Sequence, residues 1–337
     1  MAQQTHWVIV ALNTFFCPWG NGVSLPPPHT WQFRDYEATR PDQVAERIRD
    51  ADIVITTLSP ITAEILKPEV TPRLKMISVI ASGTDAVDLA ACRSRGIVVG
   101  NAPHCNEETV AEHALALYFA TRRSVLLTHS LVRSGAWATE RSHHKTMDRA
   151  GAGRPPMTTR DEVFGIVGYG SVGRAFEAKV RALGMRTIVA ARKGAVATEV
   201  GEGRVPFEEV IRACSVLLIC VPRSPETLNL ISDPEFDQMT PHTLVINVSR
   251  GGIVDERALV AALKEGRIAG AGTDVFAQEP AEPGSSLLLA PETENLNLVM
   301  TPHVAWYGAE TLDNYRRACE ANLAEFVTNG KAKYQVC

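Results

Sequence analysis

Short runs of apolar and β-branched residues recur along the chain, and turn-forming residues bound each run. Continuous apolar runs of this length are typical of strands that are buried on both faces of a parallel sheet. We predict strands at residues 7–12, 53–57, 76–80, 97–99, 163–167, 187–190, 216–221, 243–248, 269–272 and 298–300.

Amphipathic patterns with the period of a helix lie between these runs, for example at residues 41–49, 85–94, 171–183, 207–213 and 256–264. Strands that alternate with helices predict parallel sheets with helices on both faces. Because the predicted strands are too many for one ordinary sheet, the expected fold class is α/β with two Rossmann-like, doubly wound parallel-sheet domains. Residues 107–134 carry apolar side chains at helical spacing and are predicted to form one long helix that bridges the two domains.

Two stretches lack a period and are rich in turn residues, so surface loops are predicted at residues 17–29 and 135–160. The second loop is basic. A solvated surface loop is the favoured interpretation of this charge, and a role near an anionic ligand is the alternative. Between residues 133 and 160 the cations are Arg133, Arg141, Lys145, Arg149, Arg154 and Arg160, and the acids are Glu140 and Asp148. In the same loop, His143 and His144 lack an evident third ligand, so no metal site is predicted.

The 337 residues include 34 Lys+Arg and 38 Asp+Glu, which gives a formal net charge of −4 spread over the whole length. This distribution is unlike that of a dedicated nucleic-acid binder and favours small-molecule chemistry. The 7 cysteines are scattered without a C-x-x-C pair, which fits a reducing compartment better than a disulfide framework. No signal-peptide pattern and no apolar run of about 18 residues is present. We therefore expect a cytoplasmic protein without membrane or nucleic-acid partners.

Residues 168–173 read G-Y-G-S-V-G, directly after a predicted strand and at the start of a predicted helix. This context makes the pattern a dinucleotide-binding fingerprint, with a purely structural glycine turn as the alternative. Gly168 would permit the tight turn, Gly170 would let the backbone approach a pyrophosphate, and Gly173 would let helix and strand pack closely. The phosphates would lie at the amino end of the helix.

The end of the next predicted strand indicates which dinucleotide binds. An NAD-binding unit usually has an acid about 20 residues after the glycines to bind the ribose 2′-hydroxyl. This chain instead has Arg192 and Lys193 there, and a guanidinium can bind a 2′-phosphate through two parallel hydrogen bonds. We predict a preference for NADP(H) over NAD(H), although two exposed loop charges would give the same pattern.

Eight short segments recur in the order and spacing of one enzyme family. They are ASGTD at 81–85, NAP at 101–103, VAEH at 110–113, the glycine motif at 168–173, NVSRGG at 247–252, GTDVF at 272–276, EP at 279–280 and TPH at 301–303. Over most of its length the chain therefore resembles the D-isomer-specific 2-hydroxyacid dehydrogenase family. The longer segments at 17–29 and 135–160 depart from the family pattern and leave the substrate open.

The resemblance implies a catalytic set of Arg250, Glu279 and His303. Arg250 would hold the carboxylate and carbonyl oxygens of a 2-oxo acid, while N–H groups around Ser82 and Gly83 hold its other side. His303 would protonate the developing alkoxide as the hydride arrives from the nicotinamide. Glu279 would orient the His303 imidazole and favour its charged form.

The resemblance also implies that Asp274 hydrogen-bonds the nicotinamide carboxamide. Further cofactor contacts are expected at Thr109, Tyr169, Ser171, Val172, Ala191, Val221, Pro222, Arg223, Thr227, Val248 and Ser249. His113, which follows Glu112 near the start of a predicted helix, is interpreted as part of a structural pair at the helix end.

Trp306 follows the catalytic motif and resembles the tryptophan at the matching position of the C-terminal-binding corepressors. A large ring beside His303 would favour a branched or aromatic substrate side chain over glyoxylate. Phe15, Phe16 and Trp19 could complete such a pocket, but packing within the smaller domain is the favoured explanation for these rings.

The predicted substrate-binding domain is discontinuous, comprising residues 1–103 and 304–337, and residues 104–303 form the nucleotide-binding Rossmann domain. The resemblance implies an active site in the cleft between them and a homodimer. The expected reaction is NADPH-dependent reduction of a branched or aromatic 2-oxo acid to the (R)-2-hydroxy acid. Two alternatives stay open: a glyoxylate/hydroxypyruvate reductase, and a non-enzymatic, corepressor-like protein that senses nucleotides.

Overall fold

The computed structural model describes residues 5–20, 22–139, 155–195 and 200–337. The chain divides into two compact units: unit 1 comprises Met1–Asn106 and Gly308–Cys337, and unit 2 comprises Glu107–Tyr307. Each unit contains one parallel sheet, which confirms the predicted α/β fold class. Among the described residues, no helix combines the length and the apolar character needed to cross a membrane.

The sheet of unit 1 has the order β2-β1-β3-β4-β5. Its strands are β1 (His6–Ala11), β2 (Thr30–Asp35), β3 (Ile53–Thr56), β4 (Met76–Val79) and β5 (Val98–Gly100). Four of them lie within one or two residues of the predicted strands, but β2 was not predicted. This edge strand has partly exposed side chains on both faces, so it lacks the continuous apolar run that identified the buried strands.

The helices of unit 1 include α1 (Val44–Arg47), which continues a 3₁₀ turn at Pro41–Gln43, and α2 (Leu89–Arg95). A C-terminal helix, Ala309–Asn329, completes the unit and was not among the predicted helices. It packs on β4, where the Ser78 hydroxyl lies 3.2 Å from the Cys319 sulfur. Near its other end, the rings of Trp7 and Phe326 lie 5.7 Å apart.

The sheet of unit 2 has the order β12-β11-β10-β9-β6-β7-β8. Its strands are β6 (Val163–Val167), β7 (Arg186–Ala190), β8 (Arg204–Val205), β9 (Val216–Ile219), β10 (Leu244–Asn247), β11 (Gly270–Thr273) and β12 (Leu298–Met300). The two-residue edge strand β8 was not predicted, and the other six were. The chain runs from β6 outward to β8 and then returns to β9 on the other side of β6. The β6/β9 boundary is therefore the point at which the strand order reverses, where ligands bind in folds of this kind.

The helices of unit 2 are α3 (Glu107–Arg122), α4 (Val125–Arg133), α5 (Ala136–Thr139), α6 (Ser171–Ala182), α7 (Phe207–Ala213), α8 (Asp233–Phe236) and α9 (Glu256–Lys264). The prediction of one helix over residues 107–134 was wrong at Ser124, whose φ of 48° is left-handed and separates α3 from α4. The short helix α5 lies where a loop was predicted. Residues 140–154 of that loop lie outside the described residues, and with them Arg141, His143, His144, Lys145, Arg149 and Arg154.

The strands of unit 2 are buried on both faces of the sheet. In β9, Leu217 and Ile219 pack in one apolar cluster with residues of α7 and α9, while Val216 and Leu218 pack in a second cluster with residues of α3 and α6. Because successive side chains of a strand point to opposite faces, the two clusters lie on the two sides of the sheet. This packing explains why these strands read as continuous apolar runs.

A buried ion pair joins α3 to the amino-terminal edge of this sheet. The Arg122 guanidinium binds the Glu162 carboxylate through two hydrogen bonds of 2.5 and 3.0 Å. It also donates to the carbonyl oxygens of Ser215 (3.0 Å) and His242 (2.9 Å). Glu162 accepts further hydrogen bonds from the hydroxyls of Tyr118 and Ser215. Burial and the nearby Glu162 charge raise the pKa of Tyr118, so its phenol stays a neutral donor.

Candidate active site

The predicted site residues follow the carboxyl ends of the strands of unit 2. They are Gly168 after β6, Arg192 after β7, Pro222 after β9, Arg250 after β10, Asp274 after β11 and His303 after β12. The sheet is parallel throughout, so these loops lie along one edge. The structure thus brings together residues that are as much as 135 positions apart in the sequence.

The glycine loop is shaped by close contacts at two of its three glycines. Gly168 has a left-handed φ of 97°, and a Cβ there would lie 2.5 Å from the carbonyl oxygen of Cys220. A Cβ on Gly173 would overlap the carbonyl oxygen of Gly168. At Gly170, by contrast, no heavy atom of the described residues lies within 4 Å of the Cβ position. Gly168 and Gly173 are therefore needed by the fold, and the space at Gly170 suits an approaching ligand.

The amino end of α6 fits the phosphates of a dinucleotide. Gly170 precedes the helix, and among the described residues no side chain caps the first turn and no acid lies in it. The exposed N–H groups and the positive end of the helix dipole form a ready site for an anion. The Cys220 thiol donates to the Gly168 carbonyl oxygen at 2.8 Å and supports the loop from behind. Burial raises the pKa of this thiol to about 12, so it remains a neutral donor.

The two cations after β7 differ in their surroundings. The Arg192 side chain is exposed, and its charge helps to lower the pKa of Glu226, after the larger effect of a hydrogen bond from Ser224. The Lys193 ammonium lies 2.7 Å from a carboxylate oxygen of buried Glu235 and donates to the Leu230 carbonyl oxygen at 3.1 Å. Lys193 therefore already has an anionic partner within unit 2.

His303 and Glu279 form a close pair, with 2.6 Å between Nδ1 of the imidazole and a carboxylate oxygen. About one third of each side chain is exposed. Burial alone would raise the pKa of Glu279, but the His303 hydrogen bond, the Phe276 N–H and the charges of His303 and Arg250 together lower it. The carboxylate is therefore ionised and holds the imidazole of His303 through one ring nitrogen, Nδ1.

Arg250 follows β10 in a loop that its neighbours hold in place. The Asn247 side chain accepts from the backbone N–H (3.1 Å) and hydroxyl (2.7 Å) of Ser249 and donates to the Arg250 carbonyl oxygen at 3.1 Å. The Arg250 guanidinium itself donates to the Ser249 carbonyl oxygen at 2.9 Å. This loop holds a guanidinium close enough to affect Glu279, so the edge carries a cation, an imidazole and a carboxylate.

The sequence profile described as "D-isomer specific 2-hydroxyacid dehydrogenase, NAD binding domain" matches residues 115–305. This range covers more than half of the chain and includes the glycine loop, Arg250, Glu279 and His303. The chain belongs to the D-isomer-specific 2-hydroxyacid dehydrogenase family. It is thus a dehydrogenase that uses a nicotinamide cofactor and acts on a small 2-hydroxy or 2-oxo acid, as the sequence predicted.

Related proteins cover nearly the whole dehydrogenase. The chain is 35% identical over 301 residues to a glycerate dehydrogenase of Methylorubrum extorquens, covering 89% of this chain and 90% of the relative. It is 34% identical to a glyoxylate reductase of Korarchaeum cryptofilum, covering 84% and 82% of the two chains. Among solved structures, an NADPH-dependent glyoxylate/hydroxypyruvate reductase of Sinorhizobium meliloti, in complex with NADP and malonate, is 26% identical with a TM-score of 0.75. That match covers 99% of this chain and 97% of the reductase.

The other predicted cofactor residues of the dehydrogenase lie in the same loops of unit 2 or in the first turn of α6, apart from Thr109 in the first turns of α3. Ala191, Val248 and Ser249 are buried, and the Thr227 hydroxyl donates to the Pro222 carbonyl oxygen at 2.8 Å. In chain order these cofactor residues are Tyr169 after β6, Ser171 and Val172 in the first turn of α6, Ala191 after β7, Val221, Arg223 and Thr227 after β9, and Val248 and Ser249 after β10.

The predicted substrate-contacting residues of the dehydrogenase divide between its two units. In unit 2, the Trp306 indole N–H donates to the His303 carbonyl oxygen at 2.8 Å. In unit 1, Ser82 and Gly83 follow β4, and the Ser82 carbonyl oxygen accepts from the Asn101 side chain at 2.8 Å. Each of these residues lies just beyond a strand of its own sheet.

The three aromatic residues after β1 have different environments. Trp19 is buried and packs edge-on against Phe33, with 6.3 Å between the ring centroids. Phe15 lies against Phe16, with 4.0 Å between centroids, and is 50% exposed. Trp19 therefore belongs to the core of unit 1, as the favoured explanation held, while the Phe15 ring faces solvent.

Sequence reasoning missed the part that His113 takes in the site of the dehydrogenase. Its Nε2 atom lies 2.9 Å from the Thr301 hydroxyl and 3.5 Å from the Asp274 carboxylate. His113 is predicted to belong to a structural pair at the helix end. Its partners in the structure are Thr301 and Asp274, whereas Glu112 lies 3.2 Å from the Lys179 ammonium on α6. The one sequence signal for this histidine was its place as the last residue of the VAEH segment of the family pattern.

Proposed function

We propose that the protein reduces a 2-oxo acid to the (R)-2-hydroxy acid with NADPH. The observation that carries the proposal is the Glu279–His303 pair at 2.6 Å, at the same sheet edge as Arg250 and the glycine loop. A cation for the substrate carboxylate, a proton donor and a cradle for a dinucleotide are the three parts that this reaction requires.

In the proposed mechanism, Arg250 binds the carboxylate and polarises the carbonyl group of the 2-oxo acid. NADPH, when bound, would supply the hydride for the carbonyl carbon. His303 gives its proton to the carbonyl oxygen as the negative charge develops there, which completes the hydroxyl group. Glu279 holds the imidazole through Nδ1 and stabilises its charged form before the transfer.

We assign the nucleotide-binding role to residues 104–303 and the substrate-binding role to residues 1–103 and 304–337. The glycine loop supports the first assignment. Two of its glycines, Gly168 and Gly173, are needed by the fold, whereas the open space at Gly170 is free for a ligand. Gly170→Ala should fold with an unchanged Tm, since its Cβ position is open. Its KM for NADPH should rise about tenfold or more, because the methyl group would occupy the place of the pyrophosphate.

Gly173→Ala is the matched variant for this measurement, since the same change there meets the Gly168 carbonyl oxygen. It should lower the Tm as well as weaken cofactor binding. Thermal unfolding and steady-state kinetics separate the two effects. A Gly170→Ala enzyme with wild-type KM for NADPH would argue against pyrophosphate binding at this loop.

The proposed preference for NADP(H) over NAD(H) rests on Arg192, which is exposed beyond β7 where an acid would bind the ribose hydroxyl of NAD. The S. meliloti reductase, which is similar in fold, was solved with NADP. Arg192→Ala should raise the KM for NADPH by about tenfold, because one charge-assisted contact to the 2′-phosphate is lost. The KM for NADH should stay nearly unchanged.

Lys193→Ala is the comparison for Arg192→Ala. Because Lys193 binds Glu235, its removal should have a smaller effect on NADPH and should also lower the Tm, since a buried carboxylate loses its partner. Kinetics with both cofactors measure the preference. Equal losses for NADPH and NADH in Arg192→Ala would show that this residue does not bind the 2′-phosphate.

For the substrate side chain, we propose a branched or aromatic group, supported by the indole of Trp306 beside His303. Small polar substrates are the second candidate, favoured by the relatives named glycerate dehydrogenase and glyoxylate reductase. Rates with glyoxylate, hydroxypyruvate, 4-methyl-2-oxopentanoate and phenylpyruvate at matched concentrations decide between them. Preference for the first two would reject the apolar pocket, and no turnover with any of them would reject the proposed reaction.

We also propose that the protein forms a homodimer, mainly through unit 2. Support comes from apolar side chains on α4 and α5 that are about half exposed: Val125 (47%), Leu126 (48%), Val132 (59%) and Trp137 (57%). Several exposed apolar side chains on neighbouring helices are typical of interaction surfaces. Light scattering should give twice the chain mass of 36.6 kDa, and the mass of a single chain would contradict the proposal.

A further inference from the structure

The loop that carries His303 has a backbone conformation that must be held by its surroundings. His303 itself has a φ of 54°, in the left-handed region that side chains other than glycine rarely adopt. Such conformations persist where neighbouring contacts over-determine them, and they recur at functional sites. The contacts that hold this loop therefore also set the position of the imidazole.

Asp274 supplies most of these contacts. Its side chain is fully buried, and its carboxylate accepts from the backbone N–H groups of Val304 (2.9 Å) and Ala305 (2.8 Å) and from the Thr301 hydroxyl (2.6 Å). Its backbone carbonyl oxygen accepts from the N–H of His303 at 2.8 Å. Both carboxylate oxygens are thus engaged on the two sides of His303.

His113 reaches the same group of atoms from α3. Its Nε2 atom lies 2.9 Å from the Thr301 oxygen and 3.5 Å from Asp274. The single proton of the Thr301 hydroxyl is donated to Asp274, so the hydroxyl oxygen accepts from a protonated Nε2 of His113. A continuous series of hydrogen bonds runs from His113 through Thr301 to Asp274, and from there to the backbone around His303.

The helix that carries His113 is itself fixed. At its start the Lys179 ammonium, on α6, lies 2.6 Å from Glu108 and 3.2 Å from Glu112. Further along, Asn297 donates to the Thr121 carbonyl oxygen at 3.0 Å. The imidazole of His113 therefore projects from a rigid element, as a group that positions another residue must.

We propose that His113 is a positioning residue for the reaction: through Thr301 and Asp274 it holds the His303 imidazole in place without touching the substrate. The proposal rests on the proposed role of His303 as the proton donor. His113→Leu should lower kcat about tenfold or more, since small displacements of a reacting group are costly. The KM values for NADPH and the 2-oxo acid should stay within about twofold, because the groups proposed to bind them are retained.

A series of variants tests the path of the hydrogen bonds. Thr301→Val removes the hydroxyl and should reproduce the loss in kcat, whereas Thr301→Ser keeps the hydroxyl and should restore most of it. His113→Gln can donate from its amide and should also retain most of the activity. The double variant His113→Leu with Thr301→Val should be no worse than the poorer single variant, because both remove one connection. Fully additive losses would overturn the path.

The pH profile of kcat distinguishes positioning from general destabilisation. If His113 positions His303, the alkaline limb of the profile should move in His113→Leu, whereas a purely structural role would lower the Tm and leave the limb in place. His6→Leu, an exposed histidine of unit 1, should change neither. If His113→Leu does not fold, Thr301→Val provides the same readouts, with His113→Gln as the control that keeps the hydrogen bond. A folded His113→Leu enzyme with wild-type kcat and pH profile would overturn the proposal.

A measurement that does not depend on turnover separates this proposal from the proposed function. In ¹³C-histidine-labelled protein, the His303 ring signal, assigned with a His303→Gln variant, should shift in His113→Leu and in Thr301→Val. An unshifted signal would overturn the positioning role. If the signal shifts but His303→Gln retains full activity, the role of His303 as the proton donor fails, and the structural link from His113 to His303 stands.

Discussion

Replacing His303 by alanine should lower kcat for 2-oxo acid reduction by roughly 10²–10⁴-fold, the range that a positioned general acid contributes. The carbonyl oxygen gains negative charge as the hydride is added, and a donor held at that oxygen neutralises the charge in the same step. His303 is the imidazole that Glu279 holds at 2.6 Å. Steady-state kinetics and a fluorescence titration of NADPH should show a loss in kcat with cofactor affinity retained.

The pH dependence gives a second test of the same pair. Reduction of a 2-oxo acid consumes a proton, so it should slow as the pH rises, and oxidation of the hydroxy acid should show the opposite trend. Because the pKa of Glu279 is lowered by its partners despite its burial, the pair should survive acidification further than an ordinary glutamate would allow. Glu279→Gln should lower kcat less than His303→Ala does. A His303→Ala enzyme that keeps more than about a tenth of kcat would reject the general-acid role.

The second large effect is expected on stability. Arg122→Met should lower the free energy of unfolding by about 3–5 kcal/mol, because it leaves the Glu162 carboxylate buried without its cation. Two carbonyl oxygens, of Ser215 and His242, would also lose a donor. These residues precede β9 and β10, at the edge of the sheet opposite to the site. The folded variant should therefore keep the wild-type kcat, while urea unfolding followed by circular dichroism should report the loss.

Arg123→Met is the matched control, since the neighbouring side chain is exposed and its loss should change stability by less than about 0.5 kcal/mol. Arg122→Met combined with Glu162→Leu should recover part of the lost stability, because no buried charge then remains. If Arg122→Met unfolds within about 1 kcal/mol of the wild type, the ion pair does not anchor α3.

The sequence predicted the elements whose signal is local. The strand Val163–Val167 has the predicted bounds because a short apolar run ends at a turn glycine. The edge strand β2 was not predicted, because its half-exposed positions do not form the apolar run by which the buried strands were recognised. The sequence did not predict the helix break at Ser124. One left-handed residue, without glycine or proline, does not change the spacing of the apolar residues.

The same distinction applies to the candidate site. The resemblance to the family, carried by short segments with fixed spacing, predicted roles for His303 and Arg250, and the residues that shape each loop are adjacent in the sequence. The bond between His113 and Thr301 joins residues 188 positions apart, and the fold alone brings them together. Lys193 is a similar case, since its partner Glu235 comes from a different segment of the chain.

The two units also differ in how they can be made on the ribosome. Unit 2 is one continuous stretch, Glu107–Tyr307, whereas unit 1 needs the C-terminal helix Ala309–Asn329 to cover its first strands. At roughly 5–20 residues per second, translation of residues 107–307 takes on the order of 10–40 s after β5 has been made. During that interval the side chain of Trp7 and its apolar neighbours lack the cover that Phe326 and the rest of the C-terminal helix provide in the folded protein. The apolar surface of the amino-terminal strands therefore stays uncovered longest during synthesis, while unit 2 can fold as it emerges.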